Sequence, residues 1–289
     1  MPSTRDLRRR IKSVTGTRQI TKAMKMVAAA KLRRAQEAIT EARPYADSLS
    51  RVLSSLAART EYSHPLLEQR EGKRAWVILI SSDKGLCGSF NTNLLRQVEK
   101  DLKSDEKWDE VELLTIGRKG SEYFRAREWT PVHDERDTMS KLSPEDGLRL
   151  GQMCIKAFTS GQVDQVFVVY NRFASLIRQE YKMERLLPIE PPTVDEESAD
   201  EAMVDYLYEP QPAGLLTALL PAHVQTQVQR CLYDSAAAEQ AARMTSMDAA
   251  TKNAGEMIDD LTLLYNRTRQ AAITKELLEI VSGAQALGG

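Results

Sequence analysis

The 289-residue chain has only three cysteines, three histidines and 6% aromatics. Cys87, Cys154 and Cys231 are odd in number and far apart, which argues against a disulfide framework and a zinc site and favours a reducing compartment. Aromatics this sparse would fill a sandwich or barrel poorly, whereas long helices tolerate the shortage. The longest purely apolar run, Ala75 to Ile80, falls far short of the roughly 20 residues of a membrane span. The basic N-terminus is followed by no apolar stretch of the signal-peptide kind. The expectation is a cytoplasmic chain that docks on something held in a membrane without entering it. Neither charge sign dominates, since 40 Lys+Arg face 41 Asp+Glu for a formal net charge of -1. A nucleic acid or acidic membrane would therefore have to be met by a local patch.

What is present is helical periodicity at both ends. Ser3 and Asp6 have capping-box spacing, and only Gly16 interrupts the stretch before Pro44. Small or apolar residues then recur at Ala28, Leu32, Ala35, Ile39, Ala42, Ala46, Leu49, Leu53 and Leu56 in steps of four and three, a heptad seam. Pro44 removes one backbone hydrogen bond, so a bend is expected there. A second seam runs through Met244, Met247, Thr251, Ala254, Ile258, Leu261, Tyr265, Thr268 and Ala272. Its helix is expected to begin near Pro212, to kink or restart at Pro221, and to end at the terminal glycines. At 1.5 Å per residue the two helices would span about 80 and about 110 Å, so an antiparallel pair must leave around 20 residues of the second overhanging.

Between the seams the period changes. Ala75–Ile80, Val111–Ile116 and Val166–Tyr170 read as buried parallel strands, with helices at Asn93–Lys103, Lys119–Arg125 and Pro144–Ser160. Gln179–Leu187 reads as a further strand at an antiparallel edge. Glu190 to Glu209 then carries eight acids and no base, an acidic linker into the second helix. The fold class is thus helix-rich α/β: a long antiparallel two-helix coiled coil formed by both termini (1–60 and 208–289), an inserted Rossmann-like α/β domain (72–190), and a linker at 190–207.

Candidate chemistry is thin. The loop Ser81 to Asn91 follows the first strand and is glycine-containing, yet it has neither the G-x-G-x-x-G nor the Walker spacing, so a structural strand-to-helix turn is expected. Cys87 could gain thiolate character at a helix N-terminus, but no base is near it in sequence. His64, His133 and His223 have no triad or ligand spacing. No catalytic residue, metal ligand or cofactor site is assigned, and the chain is expected not to be an enzyme in itself. The charge pattern says more: residues 1–43 hold twelve bases against Asp6, Glu37 and Glu41. No aromatic platform interleaves them, and Asp234, Glu239, Asp248, Glu256, Asp259 and Asp260 of the second helix could answer them. On these features a partner-facing stripe is favoured, with a basic coiled-coil nucleic-acid-binding or scaffold protein as the alternative.

Two segments, Ile20 to Leu32 (ITKAMKMVAAAKL) and Ile273 to Ala284 (ITKELLEIVSGA), resemble the gamma-subunit family of F-type ATP synthases. The likeness continues through Asp83–Gly88, Asp205–Pro210 and Glu239–Met244 in the family's order. This resemblance implies a rotor shaft standing in a hexamer of alpha and beta subunits that hold the catalytic residues, coupling ion-driven rotation of a membrane c-ring to ATP synthesis or hydrolysis. It places Lys22, Met24, Lys25, Arg269 and Gln270 at beta-subunit contacts, and Tyr206, Tyr208 and Glu209 in a foot on the ring. The overhang from Ala271 to Leu287 would be a bearing, with Ile273, Leu277, Ile280 and Val281 at its tip. The α/β domain would meet the epsilon subunit. The implied location is peripheral, on the cytoplasmic face of the bacterial cell membrane, with no nucleic-acid partner and no small-molecule substrate of its own. Chloroplast members carry an inserted regulatory cysteine pair; no closely spaced pair occurs here, which argues against thiol control.

Overall fold

The computed structural model describes residues 3–59, 64–103, 108–190 and 212–287. The sequence's two seams become two long helices, α1 (Thr4–Arg59) and, last in the chain, α5 (Pro212–Leu287). Ser3 caps α1 as its spacing requires, accepting the Asp6 N–H at 3.2 Å while its hydroxyl donates to the Asp6 carboxylate at 2.7 Å. Both helices run unbroken through their internal prolines, Pro44 and Pro221. Pro44 lies on the exposed face of α1, where water can take up the carbonyl that its missing N–H leaves.

Packing divides the chain into two compact units, Met1–Ala28 with Met244–Gly289, and Ala29–Arg243. In the first, α1 and α5 are antiparallel. Lys25 Nζ meets Asp248 at 2.6 Å, Thr251 Oγ1 donates to Thr21 Oγ1 at 2.8 Å, and Arg8 Nη2 donates to the Tyr265 hydroxyl at 2.7 Å. In each pair the two residue numbers add to 272 or 273, a constant register. Leu7, Thr21, Ala28, Met247 and Ala254 are buried along it. The expected α5 seam is enclosed or half-buried from Met244 to Thr268, but Ala272 is exposed, because at this register α1 has ended.

In the second unit, β1 (Arg74–Ile80), β2 (Glu110–Ile116), β3 (His133–Glu135), β4 (Gln165–Phe173) and β5 (Gln179–Leu187) form one sheet in the order β3-β2-β1-β4-β5. The first four are mutually parallel and β5 is antiparallel to β4 at the edge. Helices α2 (Phe90–Leu102), α3 (Arg118–Arg125) and α4 (Pro144–Thr159) connect them. The unbroken apolar run of β1 follows from burial on both faces. Trp76, Ile78 and Ile80 join a core with Leu150 and Phe158 of α4 and Val224 and Val228 of α5. Ala75, Val77 and Leu79 join one with Leu94 and Val98 of α2 and Phe124 of α3. β3 was not foreseen, and α2 begins three residues before the expected Asn93.

Candidate interaction surfaces

The Rossmann-like topology would place a ligand where the strand order reverses, beyond the carboxyl end of β1. There buried Asn171, near the end of β4, donates to the Phe90 carbonyl at the start of α2 at 3.1 Å. The loop beyond β1 also ties down the start of α3, the helix after β2: the Arg118 N–H donates to Asp83 at 3.1 Å, the Lys119 N–H to the Ser82 carbonyl at 3.0 Å, and the Gly120 N–H to Ser81 Oγ at 2.8 Å. A Cβ on Gly117 would stand 2.1 Å from the Ser81 carbonyl oxygen, so these loops have closed to contact. Asp83 is buried and also accepts the Asp137 N–H at 2.9 Å and both the N–H and hydroxyl of Ser140, at 2.9 and 3.0 Å. From α5, Arg243 donates to the Lys84 and Gly85 carbonyls at 3.2 and 3.1 Å and to buried Glu239 at 2.6 Å. The loop is a structural turn clamped from several sides.

The possible nucleophiles and ligands are dispersed. Burial pushes the Cys87 thiol up, opposing a thiolate, and pushes Cys154 and Cys231 up to about 12. His64 accepts the Leu66 N–H, His133 faces Glu135 in β3, and His223 lies on α5. Among the described residues no three His, Cys, Asp or Glu side chains gather as a metal site.

The surface features of the first unit are sharper. Of the six acids expected to answer the basic stripe, Asp248 pairs with Lys25. Glu239 instead pairs along its own helix with Arg243, Asp234 is partly buried near Arg230 and Arg172, and Glu256, Asp259 and Asp260 are exposed. Lys22 is exposed and Met24 half-buried, between exposed Ile20 on one side and Met26 and Val27 on the other. At the other end Arg8 and Arg269 both lie over the Tyr265 ring, at 5.7 and 6.0 Å, and the hydrogen bond from Arg8 holds the phenol below its ordinary range. Arg269 and Gln270 are exposed at the last level where α5 still faces α1. Beyond them Ile273, Leu277, Ile280 and Val281 are 49, 58, 67 and 54% exposed. An apolar run this bare marks an interaction surface. Tyr206, Tyr208, Glu209 and the linker residues 191–207 lie outside the described residues. No described helix is long and apolar enough to cross a membrane.

Comparison with known proteins agrees with this architecture. A family model described as ATP synthase matches residues 3–287. The ATP synthase gamma chain of Anaeromyxobacter sp. (strain Fw109-5) is 50% identical over 292 residues, covering 99% of this chain and 100% of that one. That of Trichlorobacter lovleyi is 46% identical over 291 residues, with full coverage of both. Among solved structures, the central stalk and c-ring of Tetrahymena thermophila mitochondrial ATP synthase contains a chain with TM-score 0.60 and 26% identity, covering 80% of this chain and 99% of that chain. A chain of the Euglena gracilis mitochondrial ATP synthase (TM-score 0.68, 20% identity, 98% and 94% coverage) shares the fold. Matched from its third residue to near its last, and half identical to a relative of the same length, the chain belongs to the ATP synthase gamma-chain family.

Proposed function

We propose that this chain is the central rotor shaft of an F-type ATP synthase, a non-catalytic subunit that couples turning of the ion-driven ring to conformational change in the catalytic beta subunits. The bare apolar end of α5, running about 18 residues beyond the start of its partner helix, carries this reading. Aliphatic side chains on a lone helix have few directional bonds to break on turning, so Ile273, Leu277, Ile280 and Val281 suit a bearing inside the alpha and beta hexamer. Lys22, Met24 and Lys25 together with Arg269 and Gln270 are assigned to beta-subunit contacts. Tyr206, Tyr208 and Glu209 are assigned to the ring, and the α/β domain to the epsilon subunit. The shaft then comprises 1–60 and 208–289, the domain 72–190 and the linker 190–207, at the cytoplasmic face of the cell membrane. Energetically the shaft is one asymmetric ligand that binds the beta-subunit conformations with different free energies and so shifts their populations in turn.

Two variants separate the shaft's ends. Glu209→Lys reverses a charge at the foot, where a charge-assisted contact is worth about 1.5–3 kcal/mol. Proton pumping in membrane vesicles should fall while hydrolysis by the detached soluble sector persists. Arg269→Ala should lower hydrolysis even in the detached sector. The opposite pattern would overturn both assignments.

A further inference from the structure

Within residues 29–243 lies a cavity of about 700 Å³, in the size range of small-molecule sites. It is framed by one face of α1, the start of α4, the end of β4 and one face of α5. Its origin is visible in the α1 seam, where Ala42 and Ala46 offer only methyl groups between Ile39 and Leu49. Ile39, Leu148 and Phe173 complete an apolar lining.

The α5 wall is fixed and polar. α4 approaches it so closely that a Cβ on Gly147 would stand 2.3 Å from Gln229 Oε1, and one on Gly151 2.8 Å from the Gln225 Cα. The Gly147 N–H donates to Gln229 Oε1 at 2.8 Å. At helical spacing, α5 sets an uncharged row of Gln225, Thr226, Gln229 and Tyr233 along the cavity. Among the described residues, the charged side chains that reach the cavity are already answered. Arg172 pairs with Glu180, Arg230 with Glu184, and Asp234 lies near both arginines and accepts the Phe173 N–H.

We propose that this cavity binds a small uncharged amphiphile, its apolar body against α1 and its hydroxyl, carbonyl or amide groups against the Gln225–Tyr233 row. An ionic ligand would have to break one of the existing pairs to find a counter-charge in a partly buried place, which costs more than it returns. A neutral molecule needs only hydrogen bonds and the removal of apolar surface from water. Bound there, it braces α1 against α4 and α5 and stabilises the folded unit by mass action.

The test uses Nile red, an uncharged planar dye with one carbonyl, titrated into the purified full-length chain. Saturable binding of one dye per chain is expected. Ala42→Phe and Leu148→Trp, which fill the cavity from two different helices, should each weaken binding at least tenfold with unchanged circular dichroism. Leu278→Ser, at the exposed end of α5 where a dye could also settle, should leave it unchanged. Absent or unsaturable binding, equal binding by the filled variants, or loss only in Leu278→Ser would overturn the site. Tighter binding of the anionic dye anilinonaphthalene sulfonate, lost in Ala42→Phe, would overturn the uncharged class.

Discussion

At the scale of single residues, the α/β unit is governed by a few buried polar groups whose partners are mostly backbone. Removing the Asp83 carboxylate leaves the Arg118, Asp137 and Ser140 amides without their acceptor, at about 1–3 kcal/mol for each buried group left unpaired. Asp83→Ala should therefore lower stability by about 3 kcal/mol or more, read as a lower urea midpoint by tryptophan emission. Trp76, Trp108 and Trp129 all lie in this unit. The pH dependence of the same midpoint has two limbs. Hydrogen bonds from Arg74 hold Asp164 below its ordinary 3.8, and Lys103 and Tyr123 hold Glu99 at about 2 against 4.5. Their contribution is present above those ordinary values and is lost as pH falls through the lowered ones. Burial holds Asp234 and Glu239 above their ordinary 3.8 and 4.5, so their contribution is present below those values and is lost as pH rises through the raised ones. Acidification should thus add stability through Asp234 and Glu239, opposed toward neutral pH by His64 and His223, which burial holds below their ordinary 6.5, and stability should fall below about pH 4. Asp234→Asn should flatten the first limb and Glu99→Gln the second; an unchanged profile in both would contradict the assignment. Little of this was legible in the sequence. Asp83 follows a strand as many turn residues do, and its amide partners arrive from loops up to 57 residues away.

Among the elements, those with strong periods could be read and those made by tertiary pairing could not. The β1 run and the seam from Met247 to Thr268 carry their burial in their residue order. β3, the three polar residues His133, Asp134 and Glu135, is a strand only because β2 supplies its partners. The cavity escaped for a different reason: Ala42 and Ala46 satisfy the heptad, and the space they leave appears only once α4 and α5 are in place. The α1–α5 register gives a sharp test. Deleting residues 271–289 removes a segment whose described residues, 271–283, are all exposed, so ellipticity at 222 nm should fall only in proportion to length. Deleting 258–289 should cost more, because it uncovers buried Leu7 opposite Tyr265 and frays the start of α1. Equal losses per residue would refute the register.

For the whole molecule, the clamped loop beyond β1 separates this domain from nucleotide-binding proteins of similar topology. Calorimetry of the purified chain with Mg-ATP should show no stoichiometric binding, because the Ser81–Asn91 turn lacks phosphate-binding spacing and is clamped by Asp83 and Arg243. Binding that vanished in Gly85→Val would sink this reading. The constant register of α1 against α5 has a further consequence, which is angular. Each residue of an α-helix advances a side chain by about 100° around the axis and 1.5 Å along it. From Met247 to Arg269 the chain is therefore a dial, on which residue count fixes the compass bearing of Arg269 relative to the seam. One residue inserted there would swing Arg269 through more than a quarter-turn while hardly changing the length, whereas seven would restore its heading. In a shaft that addresses its surroundings by orientation, spacing in this stretch is timing, and length variation is tolerable only beyond the paired region.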